Sequence, residues 1–142
     1  MTTENDIGIR LAALELQLGA SLPKDYLDFL SSHRAVDEPS MYVSSNPDYW
    51  GVRSLFELGT GADFDQVDSV FKMVGDVLPS SCLPVAQDWS GNLYLLDCTE
   101  KSSSRVVWWN HEQDVEDMSV DFVAPSFADF VALLAYDKLD DE

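Results

Sequence analysis

Apolar side chains return at helical intervals near the start of the chain: Ile7, Leu11, Leu14 and Leu18 predict a first amphipathic helix, which Gly19 ends in a left-handed cap. Pro23 suits the first turn of a second helix, with Tyr26, Leu27, Phe29 and Leu30 on its apolar face and Lys24, Asp25 and Asp28 in water. Residues 31–39 read as a polar loop. Between Met41 and Leu58 the pattern predicts a strand at Met41-Tyr42-Val43, a turn at Ser45-Asn46-Pro47-Asp48, a strand at Tyr49-Trp50-Gly51-Val52 and a short helical turn at Leu55-Phe56-Glu57-Leu58. Phe64, Val67, Phe71 and Val74 resume the helical interval behind Asp63, a capping residue. After Pro79 the period becomes that of strands. Leu83–Gln87, Leu93–Cys98 and Arg105–Asn110 are short apolar runs parted by Gly, Ser and Asn, which predicts a meander. Ser126-Phe127-Ala128-Asp129 has the form of a capping box and opens a last helix with Phe127, Phe130, Val131 and Leu134 on one face.

The expected architecture is a single α+β domain spanning residues 1–142, mainly antiparallel sheet with a β-meander at about residues 82–110, packed by N-terminal, middle and C-terminal helices. Residues 93–96 and 106–109 are apolar at every position, so the middle of the sheet is either covered on both sides or carries a partner-facing aromatic surface. Trp108 and Trp109 are neighbours on a strand and must point to opposite faces. Trp89, at a hairpin tip, is the expected exposed aromatic anchor. Asp88 is expected to fix that hairpin turn by accepting from backbone amides. Cys82 and Cys98 lie on the two arms of the hairpin: an even-membered loop sets the thiols on opposite faces, whereas a three-residue loop sets them opposite each other.

Composition adds a strong constraint. The 142 residues include 26 acids and 8 bases, a formal charge of -18 spread over both halves of the chain. Four Trp, seven Phe and five Tyr argue against disorder, and the scattered bases argue against direct binding of DNA or RNA. A basic partner is the complement. The longest apolar run, Phe130 to Tyr136, is far below the roughly 18 residues that a bilayer requires. With an acidic, polar start and two cysteines, a reduced, cytoplasmic protein is expected, with residues 137–142 as an acidic tail. No cofactor is expected. Gly59-Thr60-Gly61 lacks the third glycine of a dinucleotide loop, and Asp63, Asp65 and Asp68 lack the glycine and final acid of a calcium loop. His111, Glu112 and Asp114 are the only grouping that could serve a small metal-dependent enzyme, with surface residues the simpler reading.

A family resemblance emerges from the order of the short motifs. Glu15-Leu16-Gln17-Leu18-Gly19 with Leu22-Pro23-Lys24-Asp25-Tyr26-Leu27-Asp28-Phe29-Leu30, then Trp50-Gly51 and Ser54-Leu55-Phe56-Glu57-Leu58, resemble the opening of the SUKH superfamily. Leu83-Pro84-Val85-Ala86, Gly91-Asn92-Leu93-Tyr94-Leu95-Leu96-Asp97, Val106-Val107-Trp108-Trp109-Asn110-His111-Glu112 and Ala124-Pro125-Ser126-Phe127 with Phe130 continue it over about residues 7–134. One departure is that Ser31-Ser32-His33-Arg34 stands where an Asn-Gly turn is common. The resemblance implies a non-catalytic immunity protein, related to fungal cell-wall-assembly regulators, that binds and neutralises a cognate toxin; a non-catalytic regulatory scaffold is the alternative. Nuclease toxins present basic clefts, which suits an acidic binder. The expected partner-binding residues are Trp89, Trp109, His111, Glu112, Asp114, Glu116, Asp117 and Asp121, an acidic loop following an aromatic strand. Oligomeric state is left open.

Overall fold

The structure, a computed structural model, describes residues 4–32, 41–43, 51–58, 66–79, 81–88, 90–100, 103–110 and 120–136. In chain order the elements are α1 (Glu4–Leu18), α2 (Lys24–Ser32), β1 (Met41–Val43), β2 (Gly51–Val52), β3 (Ser54–Leu55), α3 (Val67–Val74), β4 (Cys82–Gln87), β5 (Leu93–Glu100), β6 (Ser103–Trp109), β7 (Val120–Ala124), α4 (Phe127–Leu133) and β8 (Leu134–Tyr136). A 3-10 turn, Gly75–Val77, extends α3. Strands β3-β4-β5-β6-β7 form an antiparallel sheet, and β2-β1-β8 form a second, smaller one. This is the expected single α+β arrangement, with a longer sheet than the predicted meander.

The large sheet is covered on both faces. Tyr94, Leu95 and Leu96 are consecutive on β5 and each is 0% exposed, which is possible only if both faces of the strand are packed. On one face the Tyr94 ring lies 5.2 Å from that of Phe130 in α4, and its hydroxyl donates to the Gly51 carbonyl at 2.7 Å. On the other, Leu93 and its cross-strand partner Trp109 face Val70 and Val74 of α3.

The helix pair α2 and α4 meets through aromatic rings: Tyr26 and Phe29 stand 4.7 and 4.9 Å from Phe127, both edge-on. Asp25 is drawn into this contact, because its Oδ2 accepts from the Ala128 amide at 2.9 Å and so caps α4 from a different helix. The expectation that Asp25 stays in water is therefore corrected. Ser126 caps α4 as predicted, its hydroxyl accepting from the Asp129 amide at 3.1 Å.

Helix α1 ends at Gly19, whose φ of +78 is the left-handed cap foreseen in the sequence. Arg10 crosses from α1 to α3 with a forked contact: Nε to Asp68 Oδ2 and Nη2 to Asp68 Oδ1, both 2.8 Å, with Nη2 also 3.0 Å from Gln66 Oε1. These bonds, together with the Arg10 charge, hold the Asp68 carboxyl below the usual carboxylate range despite its partial burial. One member of the first acidic cluster is thus a structural fastener.

Several expectations are overturned. Leu55 belongs to β3, paired with Ala86, and Phe56 to Leu58 form no helical turn; Glu57 bridges Gln66 instead. Leu134 leaves the last helix and starts β8, opposite Val43. The N-cap of α3 is Gln66, with no side-chain cap bond, while Asp63 and Phe64 lie outside the described residues. Ser31 and Ser32 complete α2 rather than starting a loop. Trp50 and the turn at residues 45–48 also lie outside the described residues. The cysteines resolve in an unforeseen way. The hairpin has the three-residue loop, yet a bulge between Pro84 and Ala86 shifts the register and places Cys82 opposite Asp97. Cys98, one position on, projects to the other face, and both thiols are free and buried. Burial pushes Cys82 up to about 12 and Cys98 up to about 11.

Two predictions test this packing. The Tyr26 hydroxyl is buried with no hydrogen-bond partner among the described residues, whereas that of Tyr94 is bonded. Denaturant unfolding should find Tyr26→Phe as stable as the parent or more so, and Tyr94→Phe less stable by about 1 kcal/mol. Because the folded state depresses Asp68, its stabilisation is fully present above the ordinary carboxylate pKa and is lost as pH falls through the lowered value. The stability difference between the parent and Asp68→Asn, measured against pH, should shrink only on the acid side.

Candidate functional site

Asp88 organises the hairpin end of the sheet. It is buried, and its Oδ1 accepts from the amides of Ser90 and Asn92 at 2.9 and 2.8 Å. Its Oδ2 accepts from Asn92 Nδ2 at 3.1 Å and from the Trp108 indole Nε1 at 3.1 Å. The Asp88 amide in turn donates to the Asn92 carbonyl at 2.9 Å, and Gly91 sits at a φ of +89, which completes the loop. The role read from the sequence is therefore observed, with one addition. By holding the Trp108 indole, Asp88 ties β6 to the turn and leaves Trp109 for the opposite face.

Trp109 is 6% exposed and helps line a hollow of about 610 Å³ between the sheet and α3. The remaining wall is chiefly apolar, from Leu93, Val70, Val74 and Val77, with Arg53 and Gln87 as its polar members. Met73, 71% exposed, stands at this hollow as well. Gln87 is positioned by donating from Nε2 to Ser54 Oγ at 3.0 Å, and its carbonyl accepts from the Arg53 amide at 2.7 Å. The Trp109 indole Nε1 is buried without a hydrogen-bond partner among the described residues, an arrangement that costs about 1–3 kcal/mol.

Strand β7 borders this region as the last strand of the sheet. Val120 pairs with Trp109, Asp121 with Trp108 and Phe122 with Val107. Asp121 is exposed and Phe122 is 54% exposed. Of the residues expected to contact a partner, Trp109 and Asp121 are described, whereas Trp89, His111, Glu112, Asp114, Glu116 and Asp117 lie outside the described residues. Trp109 and Asp121 come together on neighbouring strands, yet the register sends them to opposite faces of the sheet. A partner touching both must straddle the β7 edge. Asp121 is also a strand residue, not part of a loop as the sequence suggested. Phe122, Met73 and Val77 went unnoticed in the sequence. The alternation Val120-Asp121-Phe122 and the continuation of Val70 and Val74 to Val77 were the signals that could have found them.

Among the described residues there is no grouping of three or more His, Cys, Asp or Glu side chains able to hold a metal ion, and no helix is long and apolar enough to cross a membrane. The arrangement offers apolar surface and acidic charge to a partner.

Comparison with known proteins gives a consistent result. The model of the SMI1 / KNR4 family (SUKH-1) matches residues 2–133. The SPbeta prophage-derived uncharacterized protein YokK of Bacillus subtilis (strain 168) is 26% identical over 148 aligned residues, which cover 92% of this chain and 76% of that protein. No solved structure matches the chain.

The Asp88 network yields a prediction. Asp88→Ala would remove four contacts to a buried acceptor whose donors are only partly buried or exposed, so thermal or denaturant unfolding should show a loss of about 1–3 kcal/mol. Loss of the constraint on Trp108 should also alter the tryptophan fluorescence of the folded protein.

Proposed function

We propose a function for a chain that belongs to the SMI1/KNR4 family (SUKH-1): it is a cytoplasmic immunity protein, without catalytic activity of its own, that binds and neutralises a cognate toxin domain. The observation that carries this reading is the family match across nearly the whole chain. The relative named above is described as prophage-derived and uncharacterized, so it lends this reading no established function. The formal charge of -18 supports a toxin with a basic, nuclease-type surface. Electrostatic steering would raise the association rate, and buried aromatic contacts would lengthen the lifetime of the complex.

The contact region in this reading is the hairpin end of the sheet: Trp89, Trp109, His111, Glu112, Asp114, Glu116, Asp117 and Asp121. Its support is the chain order, because the acidic residues between Trp109 and Val120 join two strand ends that pair with each other. The partner would engage the β7 edge, with Asp121 and Phe122 on either side of it.

The test uses a candidate toxic domain, sought in the reading frames that neighbour this gene. Reversing charge at Glu112, Asp114, Glu116 and Asp117 together should weaken binding by about a hundredfold at low salt and flatten its salt dependence. Unchanged affinity and salt slope would remove these acids from the site. Failure of the parent protein to rescue cells that express that domain would count against the immunity reading itself.

A further inference from the structure

The strand register sorts the exposed apolar residues by side of the large sheet. Phe122 stands opposite Val107 and Val120 opposite Trp109, so these four side chains all project to the α3 side. Trp108 and Asp121 project to the other side, where Tyr94 meets Phe130 of α4. Val107 and Trp109 are buried, yet Phe122 is 54% exposed. From across the hollow, α3 and its 3-10 turn present Met73, 71% exposed, and Val77, 41% exposed. Three large apolar side chains left in water thus stand on the one side of the sheet that also holds an opening of about 610 Å³.

We infer, resting on the toxin-binding reading above, that this hollow is the socket for an apolar anchor of the toxin: an aromatic or branched aliphatic side chain, flanked by Lys or Arg, seated between α3 and the sheet. Met73 and Val77 form its rim on the helix side, and Phe122 extends the contact toward β7. The volume lies within the roughly 300–1,000 Å³ of clefts that enclose compact ligands, and the wall is chiefly apolar. Such a pocket beside an enclosed tryptophan is where interfaces concentrate their binding energy.

Charge selects what enters and what flanks it. Among the described lining residues Arg53 is the only charged one and none is acidic, so a cationic side chain is kept out of the hollow itself. The acids stand around it. Asp76 is exposed next to Val77, and Glu112, Asp114, Glu116 and Asp117 belong to the segment that joins Trp109 to Val120, two residues of the α3 side. An apolar centre with charge at its margin is the anatomy of a protein interface, and an acidic margin in a chain of charge -18 is complementary to a basic one. The two parts then act on different rates: the acids on association, the socket on dissociation.

Binding kinetics of the full chain with the candidate toxic domain test this. Met73→Gln, Val77→Thr and Phe122→Thr combined keep the net charge and replace only exposed side chains, so the thermal midpoint should hold. The complex should dissociate about a hundredfold faster, with the association rate and its salt dependence as in the parent. Val131→Thr, at an exposed position on α4 across the sheet, should leave both rates unchanged. In the unaltered protein, peroxide oxidation of Met73, followed by mass spectrometry, should be slowed about tenfold or more in the complex. Should the triple variant unfold, that oxidation decides alone. A parent that binds the domain while the folded triple variant dissociates at the parental rate, or while Met73 oxidises as fast as in the free protein, overturns the socket and leaves the immunity reading standing. A parent that binds no candidate domain overturns both.

Discussion

Strand β5 must be dry on both faces, and the rest of the molecule is arranged to meet that demand. Tyr94, Leu95 and Leu96 leave no polar side for water, so one covering layer would strand large apolar side chains whose burial is worth roughly 1.5–3 kcal/mol each. Helix α4 supplies Phe130 to one face and α3 stands against the other. The remaining fasteners hold those two layers in place. Asp25 and the Tyr26–Phe127–Phe29 cluster fix α4 to α2, and the Arg10–Asp68 fork fixes α3 to α1.

That double cover also determines what the adjacent tryptophans can do. Neither ring of the pair is free on a naked sheet. Trp108 is half-buried and tethered to the Asp88 carboxylate, and Trp109 is enclosed except where it walls the hollow under α3. Apolar surface reaches solvent elsewhere, at Met73 and Val77 beside the hollow, at Phe122 on the β7 edge, and at Ile9 and Leu16 on α1. Among the described residues, the apolar surface open to a partner therefore lies at edges and rims, while the centre of the sheet is enclosed.

How much of this the sequence disclosed depends on whether local pattern or distant pairing decides each element. Helices α1, α2 and α3 and strands β4, β5 and β6 follow from residue spacing, and Asp88 followed from ordinary turn chemistry. Strands β3 and β8 did not, because Leu55-Phe56-Glu57-Leu58 and Leu134-Ala135-Tyr136 carry helix-compatible apolar spacing; pairing with β4 and β1 overrides it. Strand β7 is not evident from local pattern, because Asp121 continues the run of acids at Glu112, Asp114, Glu116 and Asp117. The candidate site was legible as residue types, an aromatic strand followed by acids. The placement of Trp109 and Asp121 on opposite faces was not, since it depends on a strand pairing that only the fold displays.

The proposed function combines the family, the charge and the β7 edge: a doubly covered sheet that stays rigid while, in that proposal, its hairpin end engages a basic toxin. Backbone hydrogen exchange, measured free and in complex with the toxic domain, tests it most directly. The account predicts that the β5 amides of Tyr94, Leu95 and Leu96 are among the slowest in both states and exchange only through global unfolding. It further predicts that new protection on binding gathers at Trp109 and β7. Fast exchange in β5, or binding-induced protection confined to α1 and α2, would contradict it.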